Sequence, residues 1–181
     1  MKLYDGARAP NPRRVRIFFA EKGILLPEIV PVDLTKLDQK RADFLALNPA
    51  GQTPVLVLDD GTPIAETMAI CRYIEALNPN PPLFGRDPKE QALIEMWSRR
   101  LEFGLYGAVQ AIFRHSHPAM AEMEKPQVPE WAAANRPRVA AHLAVLEHQL
   151  DGRPFVCGDH FTVADITAGV TVDFMKPAKL E

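Results

Sequence analysis

The string Asn78-Pro79-Asn80-Pro81-Pro82 constrains this chain more than any other feature. Each proline lacks a backbone donor and pushes its predecessor away from the helical region, so no helix or central strand runs through it. It splits the 181 residues into two stretches, and the 47% hydrophobic composition is enough for a sizeable core. The reading is residues 1–77 as one domain, 78–87 as a linker and 88–181 as a second domain.

The first stretch alternates strand-like and helix-like patterns. Lys2 to Tyr4 reads as a short strand, Gly6 to Pro10 as a loop, and Val15, Phe18 and Phe19 as one face of a helix that Gly23 stops. Ile29 to Val32 reads as a second strand. Lys36 to Ala46 has only Phe44 and Leu45 as strong apolar anchors, which predicts a short surface helix of shallow burial. Val55 to Leu58 and Thr62 to Ile64 flank Asp59-Asp60-Gly61, where Asp-Gly supplies the positive φ of a hairpin turn. Ile70, Cys71, Ile74 and Leu77 then follow helical spacing, which completes the order βαβαββα.

The second stretch reads as all helical. Leu93, Trp97, Leu101 and Leu105 mark a helix over residues 88 to about 116, and Val139, Leu143, Leu146 and Leu150 mark another from Trp131 to Leu150. Thr162-Val163-Ala164-Asp165 has the form of a capping box and starts a third. The expected architecture is an α/β thioredoxin-like N-terminal domain followed by an all-α helical domain.

Charge and cysteine usage exclude several functions. Lys and Arg number 21 against 23 Asp and Glu, with no dominant block of one sign, so neither nucleic acid nor an anionic membrane is the expected partner. Cys71 and Cys157 lack metal-ligand or CxxC spacing and read as reduced core thiols; no metal is implied. The N-terminus passes from Met1-Lys2 into Leu3-Tyr4 without a signal-type apolar run, and no run approaches about 18 apolar residues. The expectation is a soluble, cytoplasmic protein with a small-molecule partner.

A βαβ unit followed by a hairpin and a helix resembles the thioredoxin-like topology, which implies a reactive group in the loop before the first helix. Here it reads Ala9-Pro10-Asn11-Pro12. Asn11 as N-cap and Pro12 as first helical residue account for the string by capping alone. The same helix start also favours an anion, including a thiolate to which the Asn11 amide donates. Pro54 stands at the mouth of a strand, where a cis Thr53-Pro54 bond would turn the Thr53 N–H and C=O outward to pair with an extended peptide. Glu66-Thr67 opens the next helix, where free N–H groups suit a carboxylate and Glu66 accepts from an ammonium.

The strings Pro10-Asn11-Pro12-Arg13-Arg14-Val15-Arg16, Asn48-Pro49-Ala50-Gly51-Gln52-Thr53-Pro54-Val55-Leu56, Ala65-Glu66-Thr67-Met68-Ala69-Ile70 and Phe161-Thr162-Val163-Ala164-Asp165-Ile166 resemble the landmark motifs of the glutathione transferase family, in order and in register. The resemblance implies glutathione as co-substrate. It makes Thr53 and Pro54 the clamp for the cysteinyl unit, Glu66 and Thr67 the holders of the γ-glutamyl end, and Gln39, Lys40 and Gln52 the contacts of the glycyl end. It also implies detoxifying conjugation of a small hydrophobic electrophile; Trp97, Phe103, Tyr106 and Phe113 are candidates to line its pocket, with core or interface packing as the alternative reading. A homodimer is expected through the helices from Glu66, Lys89 and Trp131.

The sequence departs from the family pattern at Ala9, where bacterial, theta-like and zeta-like relatives have a serine that activates sulfur. Beta-like members use a cysteine at the position of Asn11, and the nu-like group has a Thr-Pro-Asn string similar to Ala9-Pro10-Asn11. Asn11 is therefore the expected catalytic residue, and three readings stay open: conjugation, glutathione-dependent disulfide reduction, and a non-catalytic glutathione-binding or interaction module. Family members commonly continue for one or two helices beyond the point matching Glu181, so the expectation includes a helical domain truncated at its C-terminal end.

Overall fold

The structure is a computed structural model that describes residues 1–180. It forms two compact units, Met1–Pro82 and Leu83–Glu181. In the first, strands β1 (Lys2–Asp5), β2 (Glu28–Pro31), β3 (Val55–Val57) and β4 (Pro63–Ala65) make one sheet of order β2-β1-β3-β4. β1 runs parallel to β2 and antiparallel to β3, and β3 pairs antiparallel with β4. The parallel pair requires a crossover, which helix α1 (Pro10–Glu21) supplies.

Pleat alternation sorts the side chains into two layers. Tyr4, Val55 and Val57 face α2 (Ala42–Leu47), whose Phe44 meets the Tyr4 ring edge-on at 6.0 Å. Leu3 and Leu56, cross-strand partners, belong to the opposite layer, where α1 packs beside α3 (Thr67–Leu77) through Val15, Phe18, Phe19, Ile70 and Ile74. The region 36–46 differs from expectation in two ways. It is two short 3-10 turns, Leu34–Lys36 and Asp38–Lys40, before α2, and Phe44 is only 5% exposed. Phe44 alone of this helix is buried, against Tyr4 and Val55, while Ala42, Asp43 and Ala46 stay exposed, so the helix lies on the sheet by one deep anchor.

Two other devices hold this unit. At the hairpin tip, Leu58 N–H donates to Thr62 O at 2.9 Å and Gly61 takes φ +87°, the backbone that Asp-Gly favours. At the far end of the helices, the buried Lys22 ammonium donates to Asn78 O at 2.7 Å and to Pro81 O, and it pairs with Glu75. A cation on the last carbonyls of α3 complements the negative end of the helix dipole.

The second unit is helical: α4 (Pro88–Arg99), α5 (Gly107–Ser116), α6 (Pro129–Leu150) and α7 (Val163–Met175). Asp87 caps α4, accepting from the N–H groups of Lys89 and Glu90 at 2.8 and 2.9 Å. The continuous helix expected over 88–116 is instead interrupted by a π-helical stretch, Arg100–Tyr106, which joins α4 to α5. The capping box at Thr162 forms, with Asp165 Oδ2 accepting the Thr162 N–H at 2.8 Å and Oδ1 taking the Val156 N–H at 2.7 Å. Trp97, Leu101, Leu105, Val109, Ile112, Val139 and Leu146 fill the core. Among the described residues no helix is long and apolar enough to cross a membrane.

Candidate functional site

Strand register decides which sequence-predicted residues meet. Tyr4 pairs with Val55 and Val55 with Ala65, so the residues just beyond these pairs share one end of the sheet. Those residues are Asp5-Gly6 leading into α1, Thr53-Pro54 entering β3, and Glu66-Thr67 leaving β4 for α3. The closeness is measurable at Gly6, where an added Cβ would lie 2.9 Å from Thr53 Oγ1. The Thr53-Pro54 peptide is cis, as expected. Outside the ladder, the Thr53 N–H and C=O enter no backbone hydrogen bond among the described residues.

The start of α1 corrects the sequence reading. Ala9, not Asn11, is the N-cap; its side chain caps nothing, and Pro10 is the first helical residue. Either proline would have satisfied the preference for the first helical position. The shift moves Asn11 to the second position and Pro12 to the third, with a consequence for donors. Of the N–H groups that a helix start leaves over, Pro10 and Pro12 have none, and Ala9 N–H is spent on Gly6 O at 2.7 Å. Only the Asn11 N–H remains. Asn11 thus supplies both the backbone and the side-chain donor of this helix start, and its oxygen Oδ1 accepts from Arg14 Nη1 at 3.2 Å. Removing the Asn11 side chain therefore takes no N-cap from α1.

The loop into α1 is braced by residues that the sequence reading passed over. Arg16 pairs with the buried Asp5 carboxylate and donates from Nη2 to Ala7 O at 2.9 Å. Arg16 stands in sequence as one of three arginines of α1, Arg13, Arg14 and Arg16, and only the Asp5 carboxylate leaving β1 singles it out.

Glu66 is the N-cap of α3 with φ +68° and ψ +122°, a strained backbone for a residue with a Cβ. No side chain caps the helix, so the N–H groups of its first turn are available to an anion. Thr67 is buried and Glu66 is exposed. A third cluster lies at the 48–52 turn, which Asn48 Nδ2 steadies by donating to Gln52 O at 2.8 Å. Gly51 takes φ +61°, and a Cβ there would stand 2.8 Å from Lys40 Nζ and 3.0 Å from Gln39 O. Glycine is what lets this turn lie against residues 39 and 40. Gln39 is buried, whereas Lys40 and Gln52 are exposed.

The proposed aromatic lining does not gather as one group. Trp97 is in the helical core, and Phe103 is 73% exposed with the Arg99 guanidinium over its ring. Tyr106 and Phe113 instead converge on Phe174, at 6.1 and 5.0 Å between centroids, a partner the sequence reading did not name. Among the described residues neither cysteine forms a disulfide; Cys71 is buried, Cys157 is only partly so, and burial pushes the Cys157 thiol up to about 11.

Comparison with known proteins supplies the context for this geometry. The glutathione S-transferase N-terminal domain matches residues 9–77, and the glutathione S-transferase C-terminal domain matches residues 129–181. Glutathione S-transferase 2 of Saccharomyces cerevisiae is 40% identical over 183 residues, covering 100% of this chain and 78% of that protein. Glutathione S-transferase 3 of Zea mays is 34% identical, covering 91% of this chain and 73% of that protein. The crystal structure of a glutathione S-transferase domain-containing protein from Marinobacter aquaeolei superposes with a TM-score of 0.95 at 42% identity, over 100% of this chain and 89% of that one. The four motifs, the sheet order and these likenesses agree: the chain belongs to the glutathione S-transferase family.

Proposed function

We propose that the protein binds glutathione at the sheet end formed by Asn11, Thr53-Pro54 and Glu66-Thr67, and transfers its sulfur to a small hydrophobic electrophile. The observation that carries this reading is the strand register, which brings three separate chain segments with unsatisfied polar groups to one edge. Each group suits one part of the tripeptide. The Thr53 N–H and C=O match the cysteinyl backbone as an added strand would. The uncapped start of α3 suits the α-carboxylate of the γ-glutamyl end, and the exposed Glu66 carboxylate suits its ammonium. Lys40, beside Gln39 and the 48–52 turn, suits the glycyl carboxylate.

The sulfur then lies by the start of α1, where the Asn11 N–H and amide stabilise it as thiolate. The proton leaves to solvent, the sulfur lone pair forms a bond to the electrophilic carbon, and the leaving group departs with its electron pair. Rate comes from a lowered thiol pKa and from proximity. Neither cysteine is needed, and this also suits glutathione-dependent disulfide reduction. That second reading is favoured by Ala9, which supplies no hydroxyl for activation. We further propose a homodimer, supported by the exposed apolar residues Leu93, Met96 and Phe103 along α4 and the π-helical stretch.

The test is calorimetric glutathione affinity alongside conjugation of a generic aryl halide and reduction of a small mixed disulfide. Binding with conjugation supports the proposal, and binding with reduction alone supports the second reading. Absence of binding refutes both, whereas binding with neither activity favours the interaction module. Light scattering at micromolar concentration tests the dimer, which a monomer mass would overturn.

A further inference from the structure

We propose that Arg14 is a positioning residue that locks the Asn11 side chain with its oxygen turned inward and its NH2 group presented to sulfur. The inference rests on the proposed glutathione site. Arg14 lies one turn beyond Asn11 on α1, is 2% exposed, and donates from Nη1 to Asn11 Oδ1 at 3.2 Å. A guanidinium has donors only, so the atom of the amide that faces it must be the oxygen. Turning the amide over would set donor against donor beside a buried cation. The NH2 group is thereby committed to the other side.

The orientation matters because this helix start is short of donors. Pro10 and Pro12 contribute none, so the Asn11 N–H and NH2 are the groups α1 has to offer an anion. An amide whose oxygen is bonded to a cation is also a stronger donor, since hydrogen bonds in series polarise one another. The other charges of the segment are arranged differently. Arg16 is matched by Asp5 and holds Ala7, while Arg8 and Arg13 are exposed. Arg14 is the buried cation that touches Asn11.

The test measures the pKa of bound glutathione thiol from thiolate absorbance against pH, together with glutathione affinity and thermal stability. The proposal expects Asn11→Ala and Arg14→Met each to raise the bound thiol pKa, with about a tenfold loss of thiolate per unit. The double variant should rise no further than Asn11→Ala alone, because the arginine acts through the amide. Arg14→Lys keeps a cationic donor of different reach and should recover part of the shift; it carries the test if Arg14→Met does not fold. A fall in melting temperature with the bound thiol pKa unchanged in the folded Arg14 variants would make Arg14 merely structural and overturn the proposal, as would additive effects in the double variant. The underlying site fails separately if the parent binds no glutathione or if Asn11→Ala leaves the thiol pKa unmoved. Either result takes the Arg14 proposal with it.

Discussion

Replacing Ala9 with serine tests two properties of one position. Ala9 is the N-cap of α1, with φ −77° and ψ +142°, the extended backbone from which a serine hydroxyl caps a helix. Serine over alanine at such a position is worth roughly 1 kcal/mol. With Pro10 and Pro12 lacking N–H groups, only the Asn11 N–H can be accepted, and a bound thiolate would compete for it, so the expected gain is at most about that in the glutathione-free protein, or a rise of roughly 2–4 °C in melting temperature. The hydroxyl hydrogen stays free to donate to a bound thiolate. A hydrogen bond to a charged group contributes ~1.5 kcal/mol or more, equivalent to about one pKa unit of the thiol. Below that pKa, conjugation of an aryl halide should therefore rise roughly tenfold. Thermal melting reads the first effect; thiolate absorbance and the conjugation rate read the second. If stability rises and glutathione still binds, but thiol pKa and rate stay at parent values, sulfur does not sit beside residue 9 and the transferase mechanism drawn here is wrong.

Two further outcomes follow from packing and burial. Gly104→Ala would place a Cβ 2.6 Å from His142 Cε1 and 2.9 Å from its Nδ1, so the π-helical stretch and α6 must part or the ring must move. The expected loss is about 1–3 kcal/mol by thermal melting, recovered in large part by adding His142→Ala; full stability of the single variant would refute the close approach. Cys157, its thiol pushed up to about 11 by burial with the Asp165 carboxylate adding to the shift, should be almost wholly protonated at pH 8 in the folded protein. Iodoacetamide should then label it slowly when native and rapidly once unfolded, and fast native labelling at that pH would contradict the burial.

Local chemistry determined much of this protein in advance. The proline string, Gly23, the Asp-Gly turn and the Thr162 capping box act over three or four residues, so their effect is legible without knowing what packs where. Apolar spacing at Val15, Phe18 and Phe19, and at Ile70 and Ile74, likewise named the buried faces of α1 and α3. The motif order pointed to the family before any coordinates.

Tertiary structure decided the rest, for reasons the chain does not write locally. Pro10 and Pro12 are equally good first residues of a helix, and only the bond from Ala9 N–H to Gly6 O, made by the loop leaving β1, selects Pro10. Phe44 looked like a shallow anchor because its partner, Tyr4, stands on a strand 40 residues away. The π-helical stretch follows no residue pattern that periodicity detects, and Gly104 within it is explained only by the His142 ring of another helix. Arg14 carries a charge that sequence reasoning assigns to solvent, yet the turn of α1 buries it against Asn11. Burial of a polar side chain depends on which partner satisfies it, and such partners are chosen by the fold.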